Sequence, residues 1–600
     1  MKKKNYLFVL TTVLIFAAIN VYSATYYVDA LHPNASDDNV GTDSSAPWKT
    51  LNTSKWKETG GVINLSAGNY YLTVETYIEA NTELIGTSRD EVVILSMDDD
   101  DFAEDRFGNA PLTERFFTAA SDVKLTVKNL TMKNLRFGND EGNPDTGGML
   151  NTNENAVLLV ENVKFQNAIV PKGANAVVNA MGPVTLRDVV IEDCELEETG
   201  DSNDAIVCVG SNGTSMLSMD KVRIFNCFSS GGSIVNVKQG GNGNSELYVN
   251  NCTFENNTYA NWGGGIRGVC REPGKINFHI TNSFFMHNQG GGTGCTFIQS
   301  DGDPAEKELN VLFVNNTFIE NYKDGGHNSV YSSNDDGQAW ITGSFTFVNN
   351  TMVNNSSSEP GKNGNGFLFV QTPNAEFNFI NNIAMTNEGE SMVLFNLPEH
   401  RDDYDKPGLG TTTGNITERV GGGLNFVVLS VIDEEKGNYL APEKTDDEGR
   451  IPLSELILFN DVVRPDNGNA PFLPVLEGAF NIDKGKLHDL VPDLDSRGAE
   501  IYGDFKDVGA FEYNPDFTDD TSVKPLKDDD NRMFVYPNPF NDCIYVSEEI
   551  ESVEIFNLNG SLILSKNIRS QINVSELKKG LYLMRLKNRE GKTTVFKVLK

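Results

Sequence analysis

Through the middle of the chain, short runs of alternating apolar and polar residues keep returning. Leu247 and Val249 lead into Asn251-Cys-Thr-Phe-Glu-Asn-Asn257, and Leu309-Asn-Val-Leu-Phe-Val314 leads into Asn315-Asn-Thr-Phe-Ile-Glu-Asn321. The phrase is a polar residue, an apolar one three places on, and a polar one three places after that. It recurs as Asn282-Ser-Phe-Phe-Met-His-Asn288, Asn349-Asn-Thr-Met-Val-Asn-Asn355 and Asn381-Asn-Ile-Ala-Met-Thr-Asn387, with weaker copies starting at Asn129, Asn162, Asp188 and Lys221. Successive starts lie 26 to 34 residues apart. A period of that size means one structural unit stacked many times.

The alternating runs predict strands, and no copy holds an apolar stripe at helical spacing. A second short strand follows Gly-rich turns, as in Gly232-Ser-Ile-Val-Asn-Val237, Gly265-Ile-Arg267, Cys295-Thr-Phe-Ile298 and Gly366-Phe-Leu-Phe-Val370. Coiling such strands gives an all-β chain built as a right-handed parallel β-helix, whose rungs lie about 4.8 Å apart. Stacked at one corner, Asn257, Asn288, Asn321, Asn355 and Asn387 would form an amide ladder, with Phe254, Phe285 and Phe318 as an aromatic column inside.

Outside the repeats, Met1-Lys-Lys-Lys4, the apolar run Tyr6 to Ala18, and small residues before Ala24 read as a secretory signal peptide over 1–23. Residues 24–128 supply an N-terminal cap and first rungs, 129–400 the regular rungs, 401–514 the C-terminal part and cap, and 515–532 an Asp-rich linker. No later stretch is apolar enough to span a bilayer as a helix. The formal net charge of −35 argues against nucleic acid or an anionic membrane as partner.

The chain carries four resemblances. Tyr26-Tyr-Val-Asp29, Pro47-Trp-Lys-Thr-Leu51 and Ile63-Asn-Leu-Ser-Ala-Gly-Asn-Tyr70 resemble the entry to pectate-lyase-like β-helices. Phe254-Glu-Asn-Asn257 and Gly264-Gly-Ile266 are similar to polymorphic outer-membrane protein repeats. Asp507-Val-Gly-Ala-Phe-Glu512 resembles the end of bacterial surface β-helix proteins with a variable C-terminal anchor. Over 533–600, Val535-Tyr-Pro-Asn-Pro-Phe540, Val553-Glu-Ile-Phe-Asn-Leu-Asn-Gly560, Ile572-Asn-Val574 and Leu577-Lys-Lys-Gly-Leu-Tyr-Leu583 closely resemble the type A C-terminal sorting domain of the Bacteroidetes type IX secretion system. That resemblance implies a small β-sandwich, contact with the type IX machinery, and an address outside the cell or on its surface.

Two classes of function remain open. On acidic glycans, a polysaccharide lyase needs a base and a cation to neutralise the uronate carboxylate, whereas a glycoside hydrolase needs two carboxylates across the scissile bond. Arg267, Arg271 and Lys275 are the candidate catalytic residues, with Arg267 expected to point outward beside residues near Ile298 and Tyr331 of the next rungs. His279 and His287 are near in sequence, and Asp301 and Asp303 are candidate calcium ligands. No other cofactor is implied. A non-catalytic adhesin or glycan-binding stalk would instead use Trp262, Trp340 and Tyr331 to stack on an extracellular polysaccharide or a host-surface component. The adhesin-like repeats favour this second class. Cys194 and Cys227 fall at equivalent rung positions, but seven cysteines without paired spacing favour free thiols.

Overall fold

The computed structural model describes residues 24–53, 55–72, 74–104, 115–136, 148–170, 175–197, 204–210, 213–238, 243–260, 264–269, 273–291, 293–299, 307–323, 331–334, 341–357, 366–370, 374–385, 391–395, 409–417, 437–440, 462–465, 467–515 and, in the C-terminal unit, 535–536, 543–546, 550–557, 562–566, 571–578, 581–588 and 593–600. Residues 1–23, read above as a signal peptide, Asn387 and most of 515–532, read as a linker, lie outside these residues. The chain divides into two compact units at Phe517/Thr518.

The first unit is a parallel β-solenoid. Each rung in its regular stretch contributes a long strand, a three-residue strand and a separate third strand. The first two belong to one 30-stranded sheet and the third to an 11-stranded sheet, counted over the described residues. Pairing is parallel and in register: Ser245–Asn250 lies between Ser215–Asp220 and Gly274–Thr281, and Ile266–Val269 lies between Ser233–Lys238 and Thr296–Gln299.

The polar residue that opens each repeated phrase is a left-handed corner. All nine starts, from Asn129 to Asn381, have φ between 48° and 56°, and a second corner follows five residues later, at φ 53–58° from Asn134 to Asn354. Asn and Asp tolerate this conformation because their short side chains bond locally. The short strand between the corners therefore turns sharply at both ends, which separates the first strand from the second.

Two amide ladders run inside these corners. In one, Asn257 Nδ2 donates to Asn288 Oδ1 (3.0 Å), Asn288 to Asn321 (2.9 Å) and Asn321 to Asn355 (2.9 Å). Each amide also donates to a backbone carbonyl of the preceding rung, as Asn288 does to Phe254 O. The second ladder is absent from the sequence reading: Asn316, Asn350, Asn382, Asn415 and Asn438 connect at 2.9–3.2 Å. The doublets Asn315-Asn316, Asn349-Asn350 and Asn381-Asn382 place one amide at the corner and the next in the interior. The aromatic column forms as expected, with Phe254, Phe285 and Phe318 stacked at 4.8 and 4.7 Å.

At the N-terminal end, loop residues satisfy the open edge of Thr25–Val28: Tyr27 N donates to Gly41 O and Trp48 N to Tyr27 O. Trp48 and Trp56 are fully buried there. Such cover prevents edge-to-edge association.

The closing segment lies along one flank. On the outer side of the three-residue strands, Lys164, Glu192 and Arg223 give way to Phe284, Met286, Ile319, Val353, Ile383 and Met385. This apolar strip is covered by Ala470, Phe472, Leu473, Val508, Ala510 and Phe511. The corner asparagines hold that strap. Asn251 Oδ1 accepts from Ala470 N (2.7 Å), Asn381 Oδ1 accepts from Lys486 N (2.7 Å), and Asn315 Nδ2 donates to Leu494 O (3.1 Å). Arg464 makes a bidentate pair with Glu255. Gly509, at φ 102°, fits where a Cβ would come within 2.6 Å of Ile383.

Within the strap, Asp495, Lys506, Asp507 and Glu512 are buried. Lys506 Nζ lies 3.3 Å from Glu512 Oε1, and Asp507 accepts from the Asp483 and Tyr513 amides. Burial outweighs these partners, pushing Glu512 up to about 7 and Asp507 up to about 6.

In the second unit, Val535–Tyr536, Cys543–Val546 and Gln571–Asn573 form one antiparallel sheet; Ile550–Asn557, Leu562–Lys566, Leu581–Asn588 and Thr593–Leu599 form another. Ile544, Val546 and Ile572 of the first share a core with Val553, Ile555, Met584 and Leu586 of the second, the expected sandwich.

Two predictions follow from this packing. Replacing Asn350 by Ala breaks both neighbouring ladder bonds and should cost about 1–3 kcal/mol in denaturant unfolding, whereas Asn69→Ala at an exposed position should stay within about 0.5 kcal/mol; equal effects would contradict the ladder's role. A carboxyl whose folded pKa is raised binds its proton more tightly when folded, so its contribution is present at low pH and lost as pH rises from about 4.5 through about 7. Thermal unfolding from pH 5 to 8 should therefore show a shallower decline in Glu512→Gln than in the parent, and parallel slopes would rule out a titrating Glu512.

Candidate functional site

The outer face of the long strands carries the densest chemistry among the described residues. Strand alternation sends Leu247, Val249, Ile276, Phe278, Leu309 and Val311 into the core. It sends Glu246, Tyr248, Lys275, Asn277, His279, Glu308 and Asn310 outward. Register then brings them together: Glu246 faces Asn277, Asn277 faces Asn310, and Lys275 faces Glu308.

These groups form one connected array. The Tyr248 hydroxyl donates to Glu246 Oε2 (2.9 Å), and Asn277 bonds the same carboxylate. Asn310 Nδ2 donates to Asn277 Oδ1 (3.1 Å) and Glu308 Oε1 (2.9 Å), and Lys275 Nζ pairs with Glu308 Oε2 at 2.7 Å. Two rungs on, Asn378 Nδ2 donates to Glu376 Oε1 (3.0 Å). The Tyr248 and His279 rings meet edge to face at 5.3 Å.

The array separates its titrating groups. Burial raises Glu246 above the usual carboxylate range, against the opposing bonds from Tyr248 and Asn277. Burial also acts on Glu308, but the Asn310 amide and the Lys275 ammonium outweigh it and hold that carboxyl low. Burial pushes His279 down to about 4, so its ring is neutral at pH 7.

The residues singled out from sequence do not all meet here. Lys275 is in the array. Arg267 lies on Ile266–Val269 in the other sheet, only 2 % exposed, and is engaged within the fold. Its register partners are Asn236 and Phe297, the residue before Ile298, which itself faces Gly268. Cys208, Asn236 and Arg267 share a buried column on that sheet's outer side. Tyr331 pairs through its backbone with Thr296 and Leu368. His287 sits at a second corner, 2.6 Å from Glu320. Arg271, Asp301, Asp303, Trp262 and Trp340 lie outside the described residues. Glu246, Tyr248, Asn277 and Asn310 were missed, although alternation through Glu246-Leu-Tyr-Val and Lys275-Ile-Asn-Phe-His marked them as one face.

At the C-terminus, residues 534–600 match the family of the secretion system C-terminal sorting domain. The chain is a type IX secretion substrate. It is delivered to the cell surface or beyond, and no helix among the described residues is long and apolar enough to cross a membrane. No curated protein matches the sequence.

The ion pair yields a direct check. Lys275→Met should raise the Glu308 carboxyl pKa while changing stability by less than about 1 kcal/mol, because both groups are partly exposed. An unchanged Glu308 titration, followed by NMR, would contradict the assigned pairing.

Proposed function

We propose that the solenoid is a non-catalytic, surface-displayed glycan-binding protein of the adhesin kind, and that the outer face around Glu246, Tyr248, Asn277, His279, Glu308 and Asn310 receives the sugar. The observation that carries this reading is the connected array itself. Its amides, hydroxyl and carboxylates are held in fixed positions by one another, as an arrangement that orients hydroxyl groups requires. Tyr248 adds a ring edge beside them. Each carboxylate is already engaged by an amide, a hydroxyl or an ammonium. The strongly acidic chain favours a neutral extracellular polysaccharide or host glycan over a polyanion. Trp262, Trp340 and Tyr331 remain candidate stacking residues.

A second reading is glycan cleavage. Glu246 is raised and Glu308 lowered on one face, and opposed shifts of two carboxyls are how acid and base roles are divided. In that reading Lys275 orients Glu308. Arg267, being buried, supports the scaffold rather than meeting substrate, and Arg271, with Asp301 and Asp303 as calcium ligands, belongs to a lyase variant of the same reading.

The secreted chain applied to a glycan array should be retained by a neutral glycan, and Asn277→Ala with Asn310→Ala should lower retention at least about tenfold. Unchanged retention in that variant would reject the site. Release of reducing ends or unsaturated uronate that disappears in Glu246→Gln would replace binding by catalysis.

A further inference from the structure

We propose that Cys194 and Cys227 are joined by a disulfide in the exported protein, a covalent staple between two adjacent rungs. Both residues follow a left-handed second corner, Asp193 and Asn226 respectively. The strands that precede them pair in register, Ile191 with Ile224, and Phe228 N donates to Cys194 O at 2.9 Å. Adjacent parallel strands lie about 4.8 Å apart, inside the Cα separation of roughly 4.4–6.8 Å that a disulfide spans. Both side chains point into the same core and are essentially unexposed. Cys227 Sγ reaches back to Ile191 O of the preceding rung at 3.9 Å, three residues before Cys194.

Their place in the column gives the pair a purpose. In the rungs that follow, the same position is held by Asn257, Asn288, Asn321 and Asn355, each bonded to the next. Asn257 Oδ1 still accepts from Cys227 N at 3.0 Å, so the amide ladder ends there. A thiol is a weak donor and a weak acceptor, and cannot extend the chain of amide bonds. A Sγ–Sγ bond would continue the connection by other means.

The register also excludes Cys208, Cys252 and Cys295 from such pairing. Cys208 lies between Asn179 and Asn236. Cys252 bonds to Val222 N on one side and to Ser283 Oγ on the other. Cys295 O accepts from Ile266 N, which places Cys295 next to Gly265. The sequence count favoured free thiols, and both are thiols in this structure; the register supplies the pairing that the count could not.

The chemistry balances through exchange with a disulfide donor of the export compartment. One cysteine thiolate attacks the donor's disulfide, and the second then displaces the donor from the mixed disulfide. Two protons and two electrons leave the pair, and the donor departs as a dithiol. Burial pushes the Cys227 thiol well above its ordinary value, so little thiolate forms once the rungs have stacked. The bond belongs to the folding step in an oxidising compartment.

The test is peptide mapping of the full chain recovered after secretion, quenched in acid, denatured and alkylated without reductant. The expected result is a Cys194 peptide linked to a Cys227 peptide, about 2 Da lighter than the two free peptides together, with Cys208, Cys252 and Cys295 alkylated. Alkylation of both Cys194 and Cys227, or linkage of either to another cysteine, overturns the proposal. As a second measure, reductant should lower the thermal midpoint of the parent but leave Cys194→Ser/Cys227→Ser unmoved. The mapping on the parent decides the matter whether or not that variant folds.

Discussion

The fold depends on one local constraint, the left-handed turn that opens and closes each three-residue strand. A residue with a Cβ enters that conformation at a cost unless its side chain compensates. Asn fills most of these corners, and Asp188, Asp193, Lys221, His287 and Glu320 take the others. With both corners fixed, each rung bends at the same place as its neighbour. Only then can one interior residue per corner stack on the next, and the two amide ladders follow from that alignment. The amides in turn satisfy backbone groups that a sharp bend leaves without partners, as Asn316 does for Ile280 O and Asn382 for Phe347 O.

The same corners carry the outside of the molecule. From Asn251 to Asn381, three corner side chains, those of Asn251, Asn315 and Asn381, turn outward to grip the closing strap. The strap is needed there because the three-residue strands change from charged to apolar outer positions along the stack. An uncovered strip of Phe284, Met286, Ile319 and Val353 would be an exposed apolar patch on a secreted protein. The opposite requirement holds on the long strands, where outward Glu246, Tyr248, Lys275, Asn277, Glu308 and Asn310 form the array proposed to meet glycans. One rung thus serves a buried flank and an open face, with alternation deciding which residue goes where.

Much of this was legible in the sequence. The period, the Asn257 ladder, the Phe254 column and the sorting domain could be read because each repeats or occurs as an ordered set of motifs. The second ladder was hidden because an Asn-Asn doublet looks like one polar corner until backbone angles separate its members. The strap was hidden for a different reason: its partners lie from about one hundred to more than two hundred residues away, as with Arg464 and Glu255. Arg267 illustrates the limit of site prediction. Its charge suggested a substrate contact, but both faces of its strand are buried, and burial cannot be read from a single arginine.

Hydrogen exchange of the secreted protein tests the central claim most directly. If stacked corners and ladders hold the solenoid, amides in 253–257, 284–288, 317–321 and 351–355 should exchange slowly and together, and Asn350→Ala should release protection in the rungs on either side of it. Rapid exchange at these corners in the parent protein, or a loss confined to residue 350, would contradict the account.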